Sequence, residues 1–428
     1  IIHYMKVLVV GSGGREHAIC WSILKSNKVS KVFCAPGNAG IGDIVDLVNI
    51  DSDDIANLLG FALSNKIDLT IVGPEQPLSV GIVDLFRENG LLIFGPNKDS
   101  AQLESSKEFS KIFMKKHHIP TANFESFSDY DEAIKFVSNS NYPLVVKADG
   151  LAAGKGVRVC FNLEEASEFL TFLMQDKIFS LSGEKVVIEE FLEGEEASFF
   201  VFTDGRTILP LDSSQDHKRL LDNDLGPNTG GMGAYSPAPI IDHETRDNIM
   251  NDIVHPVFAG FKKDSINYTG VLYIGLMIKN KKSKVVEFNC RFGDPETQPL
   301  LYRLDSDAFD LFYMTAKEEL KDYKLLWKKK SSVTVVMAAK GYPGKYDLDK
   351  PIKNLSKLRT QGVTIFHAGT SKIDNEVCIN GGRVLGVTAE GDSLEDAVAL
   401  VYESVFKIDS TNLVYRKDIG QKGLRKKP

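Results

Sequence analysis

The sequence is poor in cysteine. Five thiols (Cys20, Cys34, Cys160, Cys290 and Cys378) are scattered over 428 residues. Their number is odd and no two have CxxC spacing, so neither a disulfide framework nor a zinc site is indicated, and a reducing compartment fits best. A long apolar run is also missing. Nothing approaches the roughly 18 residues that a transmembrane helix needs. The first apolar stretch, Val7 to Val10, stops at Gly11 and is too short for a signal-peptide core. These absences point to a soluble, cytoplasmic protein with no membrane partner. Positive charge is not in excess either: 51 Lys and Arg stand against 58 Asp and Glu, a formal charge of −7. That removes any global pull toward nucleic acid or anionic lipid. The basic stretches Lys328 to Lys330 and Arg425 to Lys427 read as solvated surface. With 43% hydrophobic and 25% charged residues the chain is neither a disordered tail, a collagen nor a coiled coil. Its length corresponds to about three domains. Residues 1–4, ahead of Met5, read as a remnant or an upstream start and stand outside the fold argument.

What is present is an alternation of short apolar runs with segments of helical length. Lys6–Val10, Val32–Ala35, Thr70–Val72 and Leu91–Phe94 read as strands, each closing on Gly or Pro, with helices at His17–Lys25 and Ile55–Asn65. Continuous apolar strands separated by helices predict a parallel α/β sheet. Asn97 to His118 reads as one or two helices. After Pro120 the pattern changes: strands at Leu144–Ala148 and Val157–Phe161 are joined by a loop, then a helix at Leu163–Met174 precedes a strand at Lys185–Glu190. This reads as a small α+β subdomain. Leu211–Pro239 reads as a long ordered loop, and such loops are usually functional. Tyr268–Ile278 and Lys284–Arg291 read as paired strands. A last unit from Ser331 has strands at Val333–Ala338 and Val363–Ala368 and the helix Leu394–Val405.

Four motifs carry chemistry. The turn Gly11-Ser12-Gly13-Gly14-Arg15 lies between a strand and a helix, where backbone N–H groups can hold an anion. Arg15 favours a phosphate or carboxylate there; packing alone is the alternative. Glu16 occupies the third glycine position of a dinucleotide fingerprint and no acid follows the second strand, so that fingerprint is absent. Gly37-Asn38 and Gly73-Pro74-Glu75 fall at the carboxyl ends of neighbouring strands, so the three loops open on one crevice. The second motif is Lys147 to Val157, with Gly154-Lys155-Gly156. It lacks the first Gly and the Ser or Thr of a P-loop, so it reads as a lid that folds over phosphates; an exposed lysine on a hairpin is the alternative. The third is the acidic turn Glu189-Glu190-Phe191-Leu192 with Glu196, which reads equally as an interdomain hinge able to meet adenine and ribose or as an ordinary acidic surface turn. The fourth is Glu287-Phe288-Asn289-Cys290-Arg291. Side chains alternate along a strand, so Glu287, Asn289 and Arg291 share one face and Val286, Phe288 and Cys290 the other. Hard oxygen ligands suit magnesium, and an arginine beside them suits a phosphate or carboxylate; a half-exposed strand is the alternative. In the polar loop, Asp216, His217, Lys218 and Arg219 can orient a polar substrate. Asn228, Thr229, Gly230, Gly231, Met232 and Gly233 let backbone approach it. His217 alone is given no acid–base role.

With these residues in place, the chain resembles the glycinamide ribonucleotide synthetase family of ATP-grasp ligases, from Met5 nearly to the C-terminus. The resemblance implies an N-terminal open parallel α/β sheet (5–106), an ATP-grasp core (107–330) with a mobile lid subdomain at about 122–195, and a small C-terminal α+β domain (331–428). It implies ligation of glycine to 5-phosphoribosylamine through glycyl phosphate, with ATP as co-substrate and magnesium (or manganese) as cofactor. By position, Lys107 and Lys147 are implied on the ATP phosphates, Gly154 to Gly156 in the lid, Glu189 to Leu192 at the adenine hinge and Glu196 on the ribose. Glu287 and Asn289 are implied as metal ligands, and Lys147, Lys155 and Arg291 as the catalytic residues. The N-terminal loops (Gly11, Gly13, Gly14, Arg15, Gly37, Asn38, Gly73, Pro74, Glu75), the loop residues above, Arg291 and Asp294 are implied in substrate binding. Many members of the superfamily carry an acidic ligand on the preceding strand, and here that stretch reads Tyr273-Ile274-Gly275-Leu276. The metal is thus expected to have few protein ligands. A monomer or weak homodimer is expected. The rivals are another ATP-grasp carboxylate–amine ligase, an NAD-dependent dehydrogenase, which Glu16 and the missing ribose acid disfavour, and a non-catalytic nucleotide-binding regulator.

Overall fold

The computed structural model describes residues 4–151, 156–176, 184–355 and 361–425. The N-terminal runs form one fully parallel sheet in the order Asp46–Leu47, Val29–Pro36, Met5–Gly11, Leu69–Val72, Ile93–Phe94. Met5–Gly11 is apolar on successive residues because both of its faces are covered. Val7 and Val9 pack into one cluster with Phe200, Phe292 and Phe312, and Leu8 and Val10 into another with Leu58 and Phe86. The strand order reverses beside Met5–Gly11, which puts the loops after it and after Leu69–Val72 at the rim of a crevice.

The segment Asn97–His118 is two helices, Lys98–Ser105 and Lys107–Lys116, broken at Ser106. Ser106 is extended and caps the second helix through Phe109 N. Two antiparallel four-stranded sheets follow. One runs Phe124–Phe127, Val186–Glu190, Leu144–Ala148, Val157–Cys160, and has its own core of Val137, Val146, Phe169 and Ile188. The other runs Ile208–Pro210, Glu195–Thr203, Gly270–Lys279, Lys282–Asn289, over Phe199, Leu272, Ile274 and Phe288.

Leu211–Pro239 is not the plain loop the sequence suggested. It carries short strands at Gln215–Asp216, Arg219–Leu221, Leu225–Asn228 and Gly233–Ser236. Two of them extend the C-terminal sheet, in the order Gln215–Asp216, Gly233–Ser236, Ser331–Ala339, Arg383–Gly391, Val363–His367. Backbone pairing supplies what the few apolar side chains of this stretch cannot. The helix Leu394–Val405 packs on that sheet through Ala397, Val401 and Val405. Among the described residues no helix is long and apolar enough to cross a membrane.

Candidate active site

The strand Lys282–Asn289 is the floor of the site. Gly275 stands opposite Glu287 in the ladder and Leu276 opposite Val285, so Val286 is an extra residue in a β-bulge. The bulge corrects the alternation expected from sequence. Val285 joins the core with Phe288 and Cys290, whereas Val286 turns to the site and borders a small hollow with Glu196, Ser198, Asp216, Lys218 and Tyr273. Beyond the bulge the alternation holds. Asn289 Oδ1 accepts from Arg291 Nη2 at 3.3 Å. Among the described residues the Glu287 carboxylate has neither a hydrogen bond nor an ion pair. Burial pushes its carboxyl up, but Lys218, Lys147, Lys107 and Arg291 outweigh that and hold it below the usual range.

Arg291 is built in from two sides. Its Nη2 lies 2.8 Å from Glu104 Oε1 and its Nε 3.3 Å from Glu75 Oε2. Glu104 also takes the Cys290 N–H at 2.7 Å. Burial pushes Glu104 up despite Arg291, whereas Glu75 is driven down by Arg291 and Arg15 against the effect of burial. These ion pairs thus join the crevice of the parallel sheet to the end of the strand Lys282–Asn289.

The cations line the other side. Lys107, at the first position of its helix, donates to Gly150 O at 2.9 Å, and burial lowers its pKa. Asp149 takes the Glu108 N–H at 3.1 Å, which ties the root of the Gly-rich segment to that helix N-terminus. Gly156 opens the strand Val157–Cys160 and its carbonyl accepts from Ala148 N. Gly154 and Lys155 lie outside the described residues. Glu189, expected at a hinge, turns its carboxylate inward, with Oε1 3.0 Å from Lys147 Nζ and Oε2 3.0 Å from Lys111 Nζ. Glu190 faces outward to Lys284. The chain then leaves the sheet through Phe191 and Leu192, with Phe191 exposed. Glu196, expected on a ribose, pairs with Lys218 Nζ at 2.8 Å.

The polar loop forms the wall. Burial, together with Glu296 and Glu196, pushes Asp216 up to about 7 against the pull of Lys218. Nearby, Tyr273 OH donates to Glu296 Oε1 at 2.7 Å, and Ser198 Oγ donates to Tyr273 OH at 2.9 Å. His217 is buried and held near 3, mainly by burial, so its imidazole is neutral at working pH. Arg219 donates to Gly226 O and pairs with Asn228 in the ladder. Thr229 N and Oγ1 both donate to Lys218 O, which closes the loop on itself. The Met232 side chain is fully buried, and its backbone groups bond His217 and Val336. Gly233 pairs with Val335. Gly230 and Gly231 carbonyls accept from Arg383 Nη1, which also bonds Asp294 O. Gly231 has φ +121°, and a Cβ there would sit 2.5 Å from Pro295.

The N-terminal loops do converge. Gly37 N donates to Gly11 O, and Asn38 Nδ2 donates to Ser12 O at 2.8 Å and to His367 O at 2.9 Å. Pro74 caps the helix that begins at Glu75. Much of the room made by glycine is nevertheless taken by protein. Glu16 takes the Gly13 N–H at 2.6 Å, and a Cβ on Gly73 would lie 1.9 Å from Glu16 Oε1. A Cβ on Gly14 would meet Gln298. Arg15, expected to meet a ligand, is buried. Its Nε pairs with Glu16 Oε1 at 2.6 Å, and its Nη1 donates to Phe292 O at 2.8 Å. Its backbone N–H reaches Asp294 Oδ2 at 3.2 Å. A guanidinium with buried protein partners on two nitrogens is a strut between sheet and core.

The sequence profiles of one family match nearly the whole chain. They are the N domain of phosphoribosylglycinamide synthetase at residues 5–104, its ATP-grasp (A) domain at 105–297 and its C domain at 332–422. The chain belongs to the phosphoribosylglycinamide synthetase family. Phosphoribosylamine–glycine ligase of Vibrio parahaemolyticus is 48% identical over 423 residues, 98% of this chain and 99% of that protein. The Caldanaerobacter subterraneus protein of the same name is 48% identical over 415 residues, covering 97% and 99%. The crystal structure of phosphoribosylamine–glycine ligase from Thermotoga maritima superposes with a TM-score of 0.83 at 33% identity, covering 97% of this chain and 100% of that one. The biotin carboxylase domain of a Hydrogenobacter thermophilus 2-oxoglutarate carboxylase, in complex with MgADP, shares the fold with a TM-score of 0.77 at 16% identity, covering 96% and 92%.

For a phosphoribosylglycinamide synthetase, the sequence motifs named most of the side chains that meet in the crevice. They missed Glu104, Lys111, Glu296, Tyr273 and Arg383. Glu104 and Lys111 sit on ordinary amphipathic helices, and nothing in their spacing separates them from a solvated helix face. Among the described residues no group of three or more His, Cys, Asp or Glu could hold a metal ion. The donor set for a divalent cation is therefore small: the unpartnered Glu287 carboxylate and the Asn289 amide oxygen, one position apart on the same face. Both are hard oxygens, which fits magnesium completed by phosphate and water.

Proposed function

We propose that the chain ligates glycine to 5-phosphoribosylamine at the expense of ATP, giving glycinamide ribonucleotide, ADP and phosphate. Glu287 carries this reading. A carboxylate surrounded by Lys107, Lys147, Lys218 and Arg291, yet bonded to none of them, is poised for a cation and a polyphosphate. Glu287 and Asn289 would hold magnesium or manganese, which supplies charge neutralisation on the phosphoryl oxygens when bound. Lys107, Lys147 and, from the sequence, Lys155 bind the triphosphate. A glycine carboxylate oxygen attacks the γ-phosphorus, the bond to the ADP oxygen breaks, and glycyl phosphate forms. Arg291, steadied by Glu104 and Glu75, offsets charge on the transferred group. The amine nitrogen of phosphoribosylamine then attacks the glycyl carbon, phosphate leaves and a proton is lost. Asp216 and Lys218 face this reaction space from the polar loop, and the rim of the N-terminal crevice with Asp294 receives the ribose phosphate. An acyl phosphate hydrolyses in water, so closure of the lid over the site belongs to the mechanism. We assign the protein to the cytoplasm as a monomer or weak homodimer. The test is ADP release with MgATP and glycine, with and without phosphoribosylamine. Release that ignores both glycine and phosphoribosylamine would overturn the assignment.

A further inference from the structure

Lys111 is almost wholly buried (2% exposed), and so is the carboxylate it faces, Glu189 (4%). Such a group is rare without a task. Its helix position places it one turn after Lys107 on the same face. Its ammonium is pinned from a second direction: it donates to Thr121 Oγ1 at 2.8 Å, and Thr121 Oγ1 donates to Val285 O at 2.6 Å. The opposite side of the same carboxylate is held differently. Lys147 Nζ lies 3.0 Å from Glu189 Oε1, but among the described residues Oε1 is a buried acceptor with no hydrogen bond, and the one side-chain hydrogen bond of Lys147 there is a long 3.5 Å contact with Val286 O. One carboxylate thus has two ammonium partners, one fixed and one loosely held. The loose one borders the cation cluster around Glu287.

We propose that Lys111 is a positioning residue: it neutralises Glu189 permanently, so that Lys147 can leave Glu189 for the nucleotide phosphates without exposing a bare buried carboxylate. The inference rests on the ATP half of the proposed function. Without Lys111, Glu189 would keep Lys147 for itself, because an unpaired buried charge is costly. The nucleotide would then have to compete for that ammonium.

The experiment measures MgATP affinity by calorimetry for the wild type, Lys111→Met and the double variant Lys111→Met/Glu189→Gln, with thermal unfolding as a check on folding. Lys111→Met should weaken MgATP binding tenfold or more and raise the ATP KM more than it lowers kcat. The double variant, with the rival carboxylate neutralised, should return to within about threefold of wild type. Unchanged affinity in Lys111→Met overturns the proposal, and so does a double variant as weak as the single one, which would make Lys111 a support for the fold. If Lys111→Met alone does not fold, the double variant decides by the same criterion; failure of both to fold also overturns it. A wild type that binds no MgATP would instead overturn the ATP reading itself.

Discussion

Two charged clusters flank the same crevice and use their charges in opposite ways. At the first turn, Glu16 and Arg15 pair with each other, and the glycines around them make room for the Glu16 carboxylate. At the end of the strand Lys282–Asn289, the Glu287 carboxylate is without a partner among the described residues, while four cations face it. From sequence both looked like ligand sites. A glycine-rich turn is ambiguous, because the space it opens accepts a ligand or a side chain equally well. Alternating polar residues on a strand whose other face is core are less so. Their polar groups must be partnered or reserved, and here Arg291 is partnered and Glu287 reserved.

The largest effect should come from Glu287→Gln. It keeps the shape but removes the charge, and turnover should fall by about three orders of magnitude or more. Because the neighbours are lysines rather than acids, the change should also cost about 1–2 kcal/mol of stability in urea unfolding. Near-normal turnover at ordinary magnesium would erase the distinction between the two clusters. Phe288→Ala, on the core face of the same strand, should behave in reverse. The cavity should cost about 3–5 kcal/mol, with measurable turnover in the fraction that stays folded. Equal losses of stability in the two variants would mean that the strand is buried alike on both faces.

Gly73→Ala tests the first turn. A methyl group 1.9 Å from Glu16 Oε1 forces that carboxylate to move, so stability should drop by about 1–3 kcal/mol while MgATP affinity is unchanged. A raised KM for phosphoribosylamine with stability intact would return the glycines to ligand binding. A further test is pH dependence. Burial raises Asp216 to about 7 in the folded chain, above the unfolded value of about 4. The unfolded state therefore releases this proton first as pH rises, and folding stability should decline between about pH 4 and pH 7 and then level off. Asp216→Asn removes this contribution, so its stability relative to wild type should be greater at pH 8 than at pH 4. A pH-independent difference would place the Asp216 carboxyl in a solvated setting.

The sequence alone was enough for the α/β order of the N-terminal strands, the helices Ile55–Asn65 and Leu394–Val405, and the pairing of the strands before and after Asn280. In each, local periodicity and burial agree. It was also enough for the polar face of Glu287, Asn289 and Arg291, because period-two alternation survives beyond the bulge. Only the tertiary structure decided the rest. The bulge at Val286 depends on its partner strand having one residue fewer. The Leu211–Pro239 segment joins the C-terminal sheet through backbone hydrogen bonds, which leave little trace in side-chain pattern. Whether Arg15, Glu189 and Glu196 meet a ligand or a neighbouring charge depends on which side chains long-range folding brings within about 3 Å of them. Local spacing does not carry that information, since Lys111 and Glu189 are distant in sequence and meet only when the helix and sheet pack.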